Sequence, residues 1–189
     1  MESGDALPRP IRLTTDDPET VLDPVRLEDV PELYAAIDRN RRHLREWLPW
    51  VTPEYDIEHA RRFVADRIVE RDRRTALMCV VRYRGKIAGA IGLHKIDALN
   101  RATSIGYWLD EAQCGRGVMT RACRAVVACA FRDYGLHRVE IRCATGNERS
   151  CAIPRRLGFL EEGVLREAGY LWDRWVDLRV FSALDWEWH

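Results

Sequence analysis

Apolar and polar residues follow one another along this chain in two rhythms. From Glu28 to Ile37, the apolar residues Val30, Leu33, Tyr34 and Ile37 fall on one face of a helix. Residues 57–73 repeat that spacing, with Ile57, Ala60, Phe63, Val64 and Ile68 as the stripe and arginines and carboxylates opposite. The period then shortens. Thr75 to Tyr83 is apolar on both faces, as in a central strand. Arg84-Gly85 makes a tight turn, and Ile87, Ile91 and Leu93 then alternate with Ala88, Ala90 and Gly92 across Lys86 to Ile96. Ala102 to Leu109 is a further strand. A long helix is predicted over Gly115 to Tyr134, with Met119, Ala122, Val126, Ala130 and Phe131 on one face and Gly135 to stop it. Val139, Ile141 and Cys143 mark another strand. Asn147 caps a helix that runs to Leu157 and stops at Gly158. Residues 159–172 and 174–185 read as two last strands. At the other end, Thr20-Val21-Leu22 and Val25 suggest a first strand, whose Pro24 suits a sheet edge or a bulge. Residues 1–18, rich in Pro, Asp and Arg, read as a flexible leader.

Hairpins come first and strand–helix–strand later, with no internal repeat. That order predicts a single α+β domain over residues 19–189, built on one mixed, mostly antiparallel sheet flanked by helices. Composition narrows the function. The chain has 189 residues and balances 30 Lys plus Arg against 30 Asp plus Glu, which argues against a dedicated nucleic-acid binder. No apolar run approaches the roughly 20 residues a bilayer needs. Met1 to Pro10 carries Glu2 and Asp5 and no apolar stretch, so a signal peptide is not expected and a cytoplasmic protein is. The six cysteines lack the paired spacing of a zinc knuckle, and no metal site is expected. Only Lys86 and Lys95 among the cations are lysines; the arginine excess fits either codon bias or forked contacts to phosphate and carboxylate.

The candidate chemistry lies in two segments. Gly106 to Thr120 ends a strand, crosses a short acidic loop and opens a helix with Gly115-Arg116-Gly117. Glycines let backbone N–H groups approach a ligand, and a helix N-terminus favours an anion, so the segment suits a diphosphate. It has neither the P-loop ending nor the dinucleotide fingerprint. The second segment, Ala144 to Gly163, places Asn147 and Ser150 together in a first helical turn. Both residues also read as plain caps.

Four ordered stretches resemble the GNAT acetyltransferase superfamily, more narrowly its RimL and RimJ type. They are Ile105-Gly106-Tyr107-Trp108-Leu109, Gly115-Arg116-Gly117-Val118-Met119-Thr120, Gly146-Asn147-Glu148-Arg149-Ser150, and Leu157 to Gly163. Asn40 to Val51 with Leu48-Pro49-Trp50 adds to the likeness, which spans about residue 19 to the C-terminus. The resemblance implies a V-shaped splay between two central parallel strands, here 102–109 and 137–143, with acetyl-CoA as cosubstrate in the V. It implies pantetheine contacts at Trp108, Leu109 and Asn147. It implies pyrophosphate contacts at Cys114, Gly115, Arg116, Gly117, Val118, Met119 and Thr120, with Arg155 and Arg156 on the following helix near the CoA phosphates. The reaction implied is direct acetyl transfer to a primary amine, an N-acetyltransferase activity in a homodimer. The superfamily's common tyrosine position is Pro154 here, and in RimL-like proteins a serine matching Ser150 acts as general acid.

Three departures qualify the pattern. Cys114 opens the glycine loop, where Arg116 and the helix dipole could activate its thiol; an inert thiol is the other reading. The glutamate of some RimL-type enzymes falls near Gly169, and Glu167 shares its strand face if no bulge intervenes. Deprotonation through water is the alternative to Glu167. His94 reads as structural. Trp47, Trp50, Tyr107 and Tyr170, with Trp172 and Trp175, could line an acceptor pocket or pack core and interface. Arg39, Arg41, Arg42 and Arg45 read as a solvated face or as an attractor of an acidic acceptor. Three acceptor readings stand: a protein N-terminal amine, a small-molecule amine (with an acyl group that could exceed acetyl), or none at all in a non-catalytic acyl-CoA-binding module.

Overall fold

The computed structural model describes residues 13–188. In chain order they form β1 (Leu13–Thr14), β2 (Thr20–Pro24), α1 (Val30–Arg39), α2 (Arg41–Arg45) and α3 (Ile57–Asp72). Next come β3 (Leu77–Tyr83), β4 (Lys86–Leu93), β5 (Ala102–Leu109), α4 (Val118–Arg132) and β6 (Arg138–Ala144). The chain closes with α5 (Glu148–Arg156), β7 (Leu160–Leu171) and β8 (Arg174–Leu184). The eight strands make one mixed sheet in the order β1-β2-β3-β4-β5-β6-β8-β7. Every neighbouring pair is antiparallel except β5 and β6, which α4 joins as a crossover.

Apolar clusters cover both faces of the sheet. Helices α4 and α5 pack Val118, Ala122, Val126, Ala130 and Ile153 against one face. Helices α1 and α3 pack Val30, Leu33, Ile37, Ala60 and Val64 against the other. That is why β4 is apolar along nearly its whole length: only Lys86 at its start is exposed. Helix α3 begins where the Asp56 side chain accepts a 2.9 Å hydrogen bond from the His59 N–H. Its Phe63 stays exposed beside Arg67, so the stripe read there is narrower than expected.

The central pair opens. The β5–β6 ladder runs from Ala102↔Arg138 to Ile105↔Ile141 and stops. Beyond it β5 keeps β4 through Gly89↔Leu109, and β6 keeps β8 through Ala144↔Leu178. Each strand follows its outer neighbour, and a V opens between them.

Four local differences from the sequence reading have physical causes. Leu13–Thr14 pair with β2 although they fall in the stretch read as leader; residues 1–12 of that stretch lie outside the described ones. Of the arginine cluster, Arg41 to Arg45 form α2 and Arg39 ends α1. Helix α4 starts at Val118 rather than Gly115, because Gly115 and Gly117 hold left-handed φ of 78° and 75°. Finally, a bulge interrupts β7: Leu165 pairs with Leu178 and Gly169 with Val176, so Arg166, Glu167 and Ala168 together face Asp177.

Candidate active site

Backbone direction on β5 decides what faces the V. The His94 N–H donates to the Ser104 carbonyl at 2.8 Å and the Asp110 N–H to the Ala88 carbonyl at 2.7 Å. Antiparallel pairing alternates, so Gly106 and Trp108 also turn their backbone groups to β4. Tyr107 and Leu109 turn theirs toward the gap that β6 has left. The pantetheine contacts expected at Trp108 and Leu109 therefore divide: Leu109 presents its backbone to the V, and Trp108 does not.

The glycine loop closes one end of the V. The first N–H groups of a helix lack intrahelical partners, so those of Val118, Met119 and Thr120 are available at the start of α4. At Gly117 a Cβ would meet a guanidinium nitrogen of Arg121 at 2.8 Å. Arg121 braces the loop from below: it donates to the Arg116 carbonyl at 3.0 Å and pairs with Asp17 at 3.0 Å. The bare loop backbone, the open N–H groups and the V beside them fit a CoA pyrophosphate and its arm. Arg116 is exposed, with only a 3.3 Å hydrogen bond to the Ala112 carbonyl. Cys114 is half-buried and donates to the Asp110 carbonyl at 3.6 Å. Burial pushes its thiol up, and the cation facing it is Arg149 rather than Arg116. The activated-thiol reading loses its basis.

Helix α5 separates capping from chemistry. The Asn147 side chain accepts from the Ser150 N–H at 3.0 Å and so caps the helix. The Ser150 hydroxyl makes no capping bond. It donates to the Tyr107 hydroxyl at 3.1 Å and lies 3.2 Å from Cys143 Sγ. Farther along, Arg155 does not turn to the glycine loop. It bonds Glu148 at 3.0 Å and Glu161 at 3.2 Å and stacks over Phe181. Its neighbour Arg156 instead reaches the Thr120 hydroxyl at 3.2 Å.

The aromatic residues split into groups. The Trp47 ring lies against Gly146, one residue from Asn147, and Tyr107 lies under Ser150. Trp50 instead packs on Tyr55, with ring centroids 5.4 Å apart. Tyr170 packs on Trp175 at 4.8 Å on the terminal hairpin. Trp172 donates from its indole N–H to the Arg45 carbonyl at 2.6 Å, under the Arg45 guanidinium. Glu167 sits in the bulge at φ 51° and is exposed, and its N–H donates to Asp177 at 2.8 Å. The bulge removes the strand-face argument for Glu167. His94 pairs with the Ser104 hydroxyl at 3.0 Å and lies over Gly106.

Some supporting residues were not legible in advance. Arg39 bonds Asp110 at 2.9 Å, and Asn40 accepts from the Glu111 N–H at 3.1 Å, so the end of α1 fixes the glycine loop. Burial alone would raise the Asp110 carboxyl. Hydrogen bonds from the Ala112 N–H and Arg39 outweigh it and hold the carboxyl below its usual range. Arg41 donates to the Thr52 carbonyl at 2.8 Å. Of the four clustered arginines, Arg39 and Arg41 are therefore structural ties and Arg45 stacks on Trp172, whereas Arg42 is exposed. A pocket of about 520 Å³ lies beside the loop, with Arg39, Lys86, Asp110, Gln113 and Arg116 in its wall. Among the described residues no group of His, Cys, Asp or Glu is placed to hold a metal ion. No described helix is long and apolar enough to cross a membrane.

Comparison with known proteins agrees with this geometry. The family model for the Acetyltransferase (GNAT) domain matches residues 19–160. YdaF of Bacillus subtilis (strain 168), a ribosomal N-acetyltransferase by name, is 35% identical over 85% of this chain and 88% of its own. The ribosomal-protein-serine acetyltransferase of Escherichia coli (strain K12) is 30% identical over 82% of this chain and 87% of its own. Among solved structures, the ribosomal alpha-N-protein acetyltransferase RimL in complex with coenzyme A superimposes with a TM-score of 0.88. That match covers 92% of this chain and 98% of RimL at 27% identity. The splayed strands, the glycine-opened helix and these matches together make the chain a member of the GNAT family of N-acetyltransferases.

Proposed function

We propose that this protein transfers an acetyl group from acetyl-CoA directly to a protein N-terminal amine, in the manner of the ribosomal-protein acetyltransferases it is similar to. As an N-acetyltransferase of its family it takes acetyl-CoA as cosubstrate. The observation that carries the reading is the Ser150 hydroxyl, free of any capping role beside the V. In this reading the N–H groups of Gly115, Gly117, Val118, Met119 and Thr120 hold the pyrophosphate, with Arg116 and Arg156 at the phosphates. Asn147 and the Leu109 backbone hold the pantetheine arm. The Leu109 N–H donates to the oxygen of the reacting carbonyl as negative charge gathers there. Ser150 gives its proton to the leaving sulfur. The amine loses its proton to water, with Glu167 as the other candidate base. Tyr107 bonds the serine and Trp47 lies against Gly146; in this reading Trp50 and Tyr170 belong to a wider acceptor approach.

A panel of acceptors tests this. Peptides beginning with Ser or Ala, a polyamine and an amino-nucleotide are each incubated with acetyl-CoA, and products are weighed by mass spectrometry. The expected result is acetylation at the peptide N-terminus. Exclusive acetylation of a small amine would transfer the activity to that class, and binding without turnover on any amine would make the protein an acyl-CoA-binding module.

The reading also places the protein in the cytoplasm as a homodimer. The exposed Val164, Leu165, Tyr170 and Trp175 of the terminal hairpin supply apolar surface for a second copy. Sedimentation is expected to give the mass of two chains; a monomer at micromolar concentration removes the dimer.

A further inference from the structure

The serine hydroxyl is held from both arms of the V. Tyr107 comes from β5, Cys143 from β6, and Ser150 from the first turn of α5 between them. The bonding is reciprocal. Ser150 Oγ donates to the Tyr107 hydroxyl at 3.1 Å, and that hydroxyl donates to the Ser150 carbonyl at 3.1 Å. Cys143 Sγ lies 3.2 Å from the same serine oxygen. A phenol with both partners on one residue fixes that residue's rotamer as well as its backbone. The ring packs against the core under α4, so the hydroxyl cannot swing away. Burial keeps the phenol well above its ordinary value, and Tyr107 remains a neutral donor throughout the working pH range.

We propose that Tyr107 is the positioning residue for Ser150, aiming its hydroxyl and then bonding its oxygen as the serine proton leaves. The inference rests on the acetyl-transfer reading above. The amine nitrogen bonds the thioester carbonyl carbon; as the carbon–sulfur bond breaks, its electron pair stays on sulfur, and the serine O–H turns from Tyr107 and gives its proton there to form the free thiol. The Tyr107 O–H turns from the Ser150 carbonyl to the serine oxygen that has lost its proton. The proton that the amine nitrogen sheds on becoming an amide returns to the serine through solvent. One proton has then passed from amine to thiol, and Tyr107 ends as it began.

The test is a mutant cycle of Tyr107→Phe, Ser150→Ala and the double variant. It uses acetyl-CoA with a serine-initiated peptide, and binding of acetyl-CoA is measured by calorimetry. Tyr107→Phe keeps the ring in the core and loses the hydroxyl alone. Its kcat is expected to fall about tenfold, the worth of one good hydrogen bond, with acetyl-CoA affinity unchanged; the thermal midpoint falls somewhat, because the Ser150 carbonyl, which faces Pro154 in the helix, loses its donor. The double variant is expected to be no slower than Ser150→Ala, because the tyrosine acts only through the serine. Full kcat in Tyr107→Phe, or losses that multiply in the double variant, would overturn the inference. If the wild-type protein acetylates no amine, the functional reading has failed and crystal structures decide this point separately. A serine side chain displaced from its wild-type rotamer in Tyr107→Phe supports the positioning role, and an unmoved serine overturns it.

Discussion

At Gly117 the backbone has a left-handed φ of 75°, and the space beside it belongs to Arg121. An alanine there is strained by its own Cβ against the following carbonyl, and it displaces the end of the Arg121 side chain that braces the loop. The first effect alone costs about 1–2 kcal/mol. Gly117→Ala is therefore expected to lower the thermal midpoint and weaken acetyl-CoA binding together, seen by melting and calorimetry. An unchanged affinity would mean that the glycine loop does not hold the pyrophosphate. In the sequence Gly115-Arg116-Gly117 before an amphipathic helix is a weak signal alone, since it also suits a plain helix entry, and the ordered stretches that resemble the GNAT superfamily sharpened it. The sequence marked Asn147 and Ser150 less sharply. Both fit a first helical turn, and only their partners separate them: Asn147 bonds a backbone N–H, whereas Ser150 bonds a side chain 43 residues away. Arg155 and Arg156 were indistinguishable for the same reason. Adjacent arginines on a helix point about 100° apart, and the sequence does not say which of them meets carboxylates.

Among the elements, the outer hairpin depends on a charge cluster that crosses three strands. Arg138 on β6 bonds Glu140 at 2.8 Å and Glu162 on β7, and Glu162 also accepts from Ser182 on β8 at 2.8 Å. The Arg138 guanidinium is the main cause that takes the Glu162 carboxyl from 4.5 down to about 2. Its stabilisation is complete above about pH 4.5 and is lost as the pH falls through about 2. Wild-type protein should lose thermal stability across that window, and Glu162→Gln should lose less across it from a lower start. Parallel curves for the two would show that the cluster does not anchor the hairpin. Element order and type were readable from periodicity, because α4 and β4 each carry a long unbroken pattern. Two features were not. Nothing in Ala102–Leu109 distinguishes the half of β5 that pairs with β6 from the half that leaves it, so the V came from family resemblance. The bulge at Glu167 faces Asp177, ten residues on; Leu165 and Gly169 keep one face across it, but Glu167 itself, at φ 51°, leaves the alternation that the sequence suggests.

In the whole molecule, the first helices and the last hairpin meet the catalytic half from opposite ends of the chain. Arg39 reaches Asp110 across 71 residues and Trp172 reaches Arg45 across 127. These ties show why net charge was a poor guide to the arginines. Many of them sit in ion pairs or on carbonyl oxygens, and a few, Arg116 and Arg156 among them, stand at the glycine loop. The residues proposed to meet the acceptor lie after α2 and on the terminal hairpin, which the Trp172–Arg45 bond joins, and sequence periodicity carries no record of that joining. The chemical centre is more compact and can be tested with one substitution. The turnover of acetyl-CoA with a serine-initiated peptide, followed by thiol release in wild type and Ser150→Ala with acetyl-CoA affinity measured on both, addresses it most directly. The account predicts a kcat lower by about a hundredfold in the variant, with affinity retained; equal kcat in the two proteins would contradict it.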